Sequence, residues 1–277
     1  MSPETELILA DAHVHIHDCF NLTDAFDSAQ QNFLTVADRI SDGRFTAGVL
    51  FLTEISSANC FEKMAKYTES QASSSWCFKK TEEPVSLIAQ KNGHTPIVVI
   101  AGRQIVTAER LEVLALGAAN EHPDGQPITD TLERVAAANA IPVIPWGFGK
   151  WMGHRGRILR ALLEDSTVPS FYLGDNSGRP AFIPNPREFD RTRTDAGHIL
   201  SGSDPLPFPS ESSKPGSFGF SLRTKIDFDY PMESLNRAIR DPAIDLRGFG
   251  SPETIMRFIH HQVKMQIRLR LRHDSVT

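Results

Sequence analysis

Three histidines fall at alternate positions near the N-terminus, His13, His15 and His17, in the stretch LILADAHVHIHDCF (residues 7–20). On an extended strand, alternate side chains share a face. His13 and His15 would then present their imidazoles together, with Val14 turned towards the helices. Two neutral imidazoles on one face are a natural seat for a divalent cation. The same pattern also describes a polar strand face whose histidines only make hydrogen bonds. The following DCFN has the composition of a turn, which sets His17 and Asp18 apart from the pair. Asp204 is the second candidate, at the end of the apolar run ILSGSD. Gly202 and Ser203 allow close backbone approach to a ligand. The Asp204 carboxylate could hold a cation or take a proton from a water bound to it. Ser-Asp-Pro is equally a turn signal.

Basic residues gather in WGFGKWMGHRGR, where Lys150, His154, Arg155 and Arg157 follow a strand and open a helix. Helix N-termini and basic side chains suit phosphate or carboxylate groups. The bland alternative is a solvated helix start beside two core tryptophans, Trp146 and Trp151. Arg103 falls where a hairpin strand should face the pocket, as a substrate clamp. Lys214, Arg223 and Lys225 form a weaker basic set. His260 and His261 are adjacent on a helical pattern, do not share a face, and read as structural. Cys19, Cys60 and Cys77 have no partner base in the sequence, which gives a cysteine nucleophile little support.

Short apolar runs alternate with helical patterns and must carry these residues. ELILADAHVHI reads as the first strand. Phe26, Ala29, Phe33, Val36, Ala37 and Ile40 mark one face of a helix that Thr23 would cap. FTAGVLFLTE is an apolar second strand, buried on both faces. A helix around 58–69 and a short strand near SSSWCFKK follow. Ile97–Val106 and Leu111–Leu116 are β-rich, and the TAER between them is short enough for a hairpin. PITDTLERVAAANA reads as a helix capped by Thr129 or Asp130, IPVIPWG as a strand, HRGRILRALLED as a helix and SFYLGDNSG as a strand. Residues 176–195 form a Pro-, Arg- and Asp-rich loop. HILSGSDPLPFPSE and GSFGFSLRTKID supply strands. Two terminal helices, within about 231–273, complete the chain, the second opened by Ser251 with Glu253 in its first turn. The alternation of strands and helices over 277 residues favours a closed or distorted (β/α) barrel. Working residues in such barrels sit at the C-terminal strand ends. That rule selects His13, His15, Glu54, Trp146 to Lys150, Asp175, Asn176 and Asp204.

Composition sets the wider bounds. Hydrophobic residues make up 40% and charged residues 23%, as in ordinary globular chains. The net charge of −5 gives no bulk attraction to nucleic acid, and the basic run RLRLRH, residues 268–273, is a local patch. Three scattered cysteines point to a reducing compartment. The acidic start is unlike a signal peptide, and no apolar run approaches the ~18 residues of a membrane span. A cytoplasmic protein with no membrane partner and no nucleic-acid partner is expected.

DAHVHIH, GRQIVTAERLEVLALG, IPVIPWG, GDNSG and GSDPLPFPSE occur in that order over most of residues 7–225. Together they resemble the PHP (polymerase and histidinol phosphatase) family of metal-dependent phosphoesterases. The resemblance implies a distorted (β/α)7 barrel, one PHP-like domain over residues 1–277, and a divalent metal. The departures from the family pattern are specific. Its Gly-x-Glu appears as Gly102-Arg103-Gln104, its Thr-Asp-His as Leu52-Thr53-Glu54 and its His-Pro as Pro145-Trp146. Leu206 replaces the last histidine of Gly-Ser-Asp-x-His. An amide bridges two cations poorly. The implied site is therefore one Zn, Mn or Fe ion on His13, His15 and Asp204, with Gln104 as a substitute ligand. Asp204 or Glu54 would accept the proton of an activated water, and Arg103, Lys150, His154 and Arg155 would hold a small anionic substrate. Two alternatives stay open. One is a PHP-like binding protein without catalysis. The other is a C–N or lactone hydrolase of the amidohydrolase superfamily, which shares the HxH and a late Asp.

Overall fold

The computed structural model describes residues 6–40, 43–66, 76–118, 122–191 and 199–274, the last with side chains to residue 266. The basic side chains of 268–273 lie outside the described residues. So do the ends of the helix expected at 58–69 and of the strand expected from His198.

Nine-residue strands β1 (Glu6–Val14) and β2 (Arg44–Leu52) pair in parallel, with α1 (Leu22–Arg39) crossing between them. Asn21, not Thr23, caps α1, accepting from the Asp24 N–H at 3.1 Å. After α2 (Cys60–Lys66) come β3 (Cys77–Lys80), β4 (Ser86–Gln90), β5 (Ile97–Ile100), β6 (Gly102–Val106) and β7 (Glu112–Leu116). α3 (Ile128–Ala137), β8 (Ile141–Pro145), α4 (Gly153–Glu164) and β9 (Tyr172–Gly174) follow. The chain ends with β10 (Gly219–Arg223), α5 (Pro231–Arg240), β11 (Arg247–Phe249) and α6 (Ile255–Asp274). Pro127, not Thr129 or Asp130, stands at the N-cap of α3, and the Glu109 carboxylate accepts from the Ile128 N–H at 3.1 Å.

These strands form two mixed sheets, one ordered β11-β10-β1-β2-β5-β4-β3 and the other β6-β7-β8-β9. The expected barrel is therefore incorrect: the described strands make an α/β fold of two sheets, not a closed barrel. The reason lies in the connections. Parallel pairing needs a crossover of about a dozen residues or more. Only Ala101 separates β5 from β6, and no helix intervenes from β3 to β7. The chain therefore folds back, and β3–β4, β4–β5, β6–β7 and β7–β8 all pair antiparallel.

The apolar side chains sort into layers. Ile8, Ala10, Val49, Phe51, Val98 and Ile100 from the larger sheet meet Leu114, Leu116, Ile141, Val143 and Tyr172 from the smaller. Leu235 and Ile239 of α5 join that inner core. The outer face of the larger sheet packs Leu7, Leu9 and Leu50 against Phe26 and Phe33 of α1 and Met64 of α2. The outer face of the smaller sheet packs Val113, Ala115 and Ile144 against Leu132 of α3 and Leu159 of α4. Fully burying one such Phe or Leu contributes about 1.5–3 kcal/mol. This lamination holds the strand ends, and their polar residues, in fixed positions.

A buried ionic cluster anchors α6. Lys214 Nζ lies 2.9 Å from Glu211 Oε2 and 2.5 Å from Glu253 Oε1. His261 reaches both carboxylates, at 3.1 Å from Glu253 and 3.3 Å from Glu211, and Arg257 approaches Glu211 at 3.3 Å. Glu253 precedes α6 rather than lying in its first turn. Burial alone would raise the Glu211 carboxyl, but Lys214, His261 and Arg257 hold it below its ordinary 4.5. A depressed carboxylate contributes stability that is complete above that ordinary value and disappears as the pH falls through the lower, folded value. Urea unfolding across the acid range should show wild-type stability declining below pH 4.5, with a shallower decline in Glu211→Gln. Equal acid slopes for the two proteins would contradict the role given to this cluster.

Candidate metal centre

The end of β1 carries the histidines. Leu7 and Leu9 face the outer core, and so does Val14, an even-numbered residue. This change of parity coincides with an irregularity in β1–β2 pairing between Asp11 and Val14. Bulges of this kind re-aim side chains at strand ends. The outcome is that His13 and His15 turn together, away from Val14. Their Nε2 atoms lie 3.1 Å apart.

Asp204 arrives from a distant segment. Its N–H donates to the His13 carbonyl at 2.8 Å, and its backbone is left-handed, with φ 45°. That conformation is uncommon outside glycine but is tolerated by Asp. Gly202 makes the approach possible, because a Cβ there would fall 2.2 Å from the His13 nitrogen. Oδ1 of Asp204 then lies 3.5 Å from His13 Nε2 and 3.6 Å from His15 Nε2. Gln104, on β6, places its Oε1 3.1 Å from His13 Nε2 and also hydrogen-bonds the His15 side chain.

Four donor atoms thus converge from three elements. Ligands arranged tetrahedrally at about 2.0–2.2 Å from Zn²⁺ lie about 3.3–3.6 Å from one another. The two Asp204 spacings, 3.5 and 3.6 Å, fall within that range, and the His13–His15 and His13–Gln104 spacings, 3.1 Å each, lie slightly below it. The donor set therefore fits one divalent cation. Its protonation state fits as well. Burial, reinforced by His13 and opposed by Asp204, lowers His15 to about 3, so its imidazole is neutral. Burial would raise the Asp204 carboxyl, but His13, His15, Lys150 and Lys214 keep it below its usual value.

Surrounding groups orient these side chains. Asp11, fully buried, accepts from the N–H groups of Ser203 at 2.8 Å, Gly216 at 2.8 Å and His13 at 3.2 Å. Asn176 donates to Asp204 Oδ2 at 3.0 Å and to the Trp146 carbonyl at 2.8 Å. Arg179 grips Asp175 with two 2.8 Å bonds, which fixes the neighbouring turn. Sequence reasoning placed Asn176 at a strand end without a role. In the sequence Asp11 was visible as the carboxylate preceding the His13–His15 pair, matching the Asp-x-His-x-His opening of the PHP pattern.

The other sequence candidates are positioned differently. Glu54 Oε1 accepts from the Phe61 N–H at 2.9 Å, at the start of α2, while Oε2 lies 3.5 Å from Arg103. Arg103 also donates to the Ala58 carbonyl at 2.9 Å. Lys150 pairs with Glu112, and Arg155 donates to the carbonyl of Gly149 at 2.9 Å. His154 is exposed on the first turn of α4. Lys150 is the one of the four proposed substrate contacts whose charge bears on Asp204. His17 stacks on His15, with ring centroids 5.5 Å apart, and its Nε2 lies 2.9 Å from the Pro205 carbonyl.

Among the described residues a second group of potential ligands lies within 4.8 Å, Glu211, Glu253 and His261. There Lys214 already supplies the positive charge between the carboxylates. No helix among the described residues is long and apolar enough to cross a membrane.

No family model and no curated protein matches the sequence. The fold is similar to that of PfuEndoQ, a lesion-specific endonuclease from Pyrococcus furiosus, with a TM-score of 0.51 and 11% identity. The match covers 88% of this chain and 59% of that one, so the chain spans little more than half of that enzyme's length. An Endonuclease Q complex with a 27-mer duplex bearing an abasic lesion matches at a TM-score of 0.46 and 12% identity, over 84% and 56% of the two chains. PsfC from Pseudomonas syringae PB-5123 matches at 0.46 and 12%, over 96% and 99%. At these identities the likeness is one of fold. It still overturns the exclusion of nucleic acid as a partner, because this architecture occurs in an endonuclease. Net charge averages over the whole surface and does not describe one cleft.

Proposed function

We propose that this chain is a metal-dependent hydrolase of phosphoesters, a PHP-like domain over residues 1–277 whose metal site is reduced to one cation. The observation that carries this reading is the convergence of His15 Nε2, Gln104 Oε1 and Asp204 Oδ1 on His13 Nε2, at 3.1, 3.1 and 3.5 Å. A Zn, Mn or Fe ion held there would supply Lewis acidity for attack of water on phosphorus. His13 and His15 offer imidazole nitrogens, and burial keeps His15 neutral. Asp204 contributes a carboxylate whose second oxygen is fixed by Asn176, and it is the group placed to take a proton from water. Glu54 is the alternative acceptor, with Oε1 engaged by α2 and Oε2 beside Arg103. Lys150, whose charge acts on Asp204, is the first of the proposed anion contacts, beside Arg103, Arg155 and His154.

The substrate class extends from small phosphoesters to the phosphodiesters of DNA. The fold shared with a lesion-specific endonuclease supports including DNA. The neutral Gln104, where the PHP pattern has a carboxylate, favours one second reading: a protein that binds phosphoesters without turning them over. A panel of alkyl phosphates and duplex DNA, assayed with added Zn²⁺ or Mn²⁺ and again after chelation, separates the two. Turnover that disappears on chelation and returns with metal is expected. Binding without turnover across the panel would favour the second reading.

A further inference from the structure

A cleft of about 1020 Å³ opens beside the proposed cation site, with His15 on its wall. Its size is at the upper end for a small-molecule pocket. Ile16, Phe20, Leu22, Ile55, Pro207 and Met265 are the exposed or half-buried apolar residues on its wall, while Met64, Trp76 and Phe78 are themselves buried. The charged side chains lining it, among the described residues, are Asp18, Glu54 and Lys63. Lys63 Nζ lies 3.8 Å from Asp18, and Glu54 is held by Phe61 and Arg103. Among the described residues, the lining thus carries no excess positive charge. An uncharged ring or chain would gain from burial against the aromatic and sulfur-bearing side chains.

We propose that this cleft receives an uncharged aromatic or aliphatic group of the substrate, joined to the phosphoester that reacts at His13, His15 and Asp204. The proposal rests on the hydrolase reading for the reacting end and on the cleft lining for the other. Anionic recognition is then confined to the reacting phosphoryl group. The remainder of the substrate is selected by shape and apolar burial.

Two measurements test it. Naphthylethyl phosphate and methyl phosphate release alcohols of similar basicity, so their difference in kcat/KM reports binding of the organic group. The naphthyl ester should be preferred by about tenfold or more. Calorimetric titration of naphthylethanol into metal-free protein should show binding. Ile55→Asp and Ser57→Trp, both at exposed positions, should weaken that binding about tenfold while leaving Co²⁺ uptake unchanged. Absence of alcohol binding, or equal binding by wild type and both variants, would overturn the proposal. Binding of the alcohol by a protein that takes up no cation and cleaves neither ester would support the cleft assignment and refute the hydrolase reading. Cleavage of both esters at equal kcat/KM without alcohol binding would do the reverse.

Discussion

His13→Ala is expected to remove stoichiometric cation binding and to lower metal-dependent turnover by on the order of a thousandfold or more. His13 Nε2 is the hub of the cluster. It lies 3.1 Å from His15, 3.1 Å from Gln104 and 3.5 Å from Asp204. Removing it leaves one imidazole, one carboxylate oxygen and one amide oxygen, too few strong donors for a borderline cation. Asp204→Asn should have a comparable effect on turnover, because it removes the negative charge that balances the cation. It should cost less in folding, since Asn also tolerates the left-handed backbone at φ 45°. Gln104→Ala should weaken metal affinity by a smaller factor, because a neutral amide oxygen contributes least. Glu54→Gln separates the two proton acceptors. Retained turnover would assign the step to Asp204, and a loss as large as that in Asp204→Asn would assign it to Glu54. The readouts are elemental analysis after gel filtration and kcat/KM on the best phosphoester.

Asp11→Ala carries the largest expected stability effect. Its carboxylate takes three backbone N–H groups, from Ser203, Gly216 and His13, and so ties two distant loops to the end of β1. Each buried N–H left without a partner costs about 1–3 kcal/mol. Burial lifts the carboxyl to about 6 despite these donors, so removing it also relieves part of a desolvation cost. The net loss should be about 3 kcal/mol, equivalent to a melting temperature lower by roughly 6–12 °C. The folded fraction that remains should bind metal more weakly, because Ser203, next to Asp204, loses its tie to the end of β1. A variant as stable as wild type, with unchanged metal affinity, would contradict this role for Asp11.

The legible parts of the fold and site were those set by local pattern. Alternation placed His13 and His15 on one face and Val14 on the other, and the 3.6-residue repeat of Phe26, Ala29 and Phe33 marked the buried face of α1. The hairpin of β6 and β7 was evident from the short polar TAER. Closure into a barrel was inferred from alternation, chain length and the PHP resemblance, and was incorrect. Strand β11 is short, and it pairs with β10 from beyond the intervening α5. The long-range parts of the site were equally hidden. Nothing local to residue 11 announces that its carboxylate will meet Ser203 and Gly216, and nothing near Glu253 foretells its pairing with Lys214. The basic residues were visible, but their partners were not. Glu112 draws in Lys150, and Glu54 and the Ala58 carbonyl draw in Arg103.

The most direct test of the central claim is a crystal of the protein soaked in Zn²⁺ or Mn²⁺ and measured at the absorption edge of the metal. One anomalous peak is predicted, within about 2.0–2.2 Å of His13 Nε2, His15 Nε2 and Asp204 Oδ1. A fully soaked crystal with no peak there, or with metal only at Glu211, Glu253 and His261, would contradict the account.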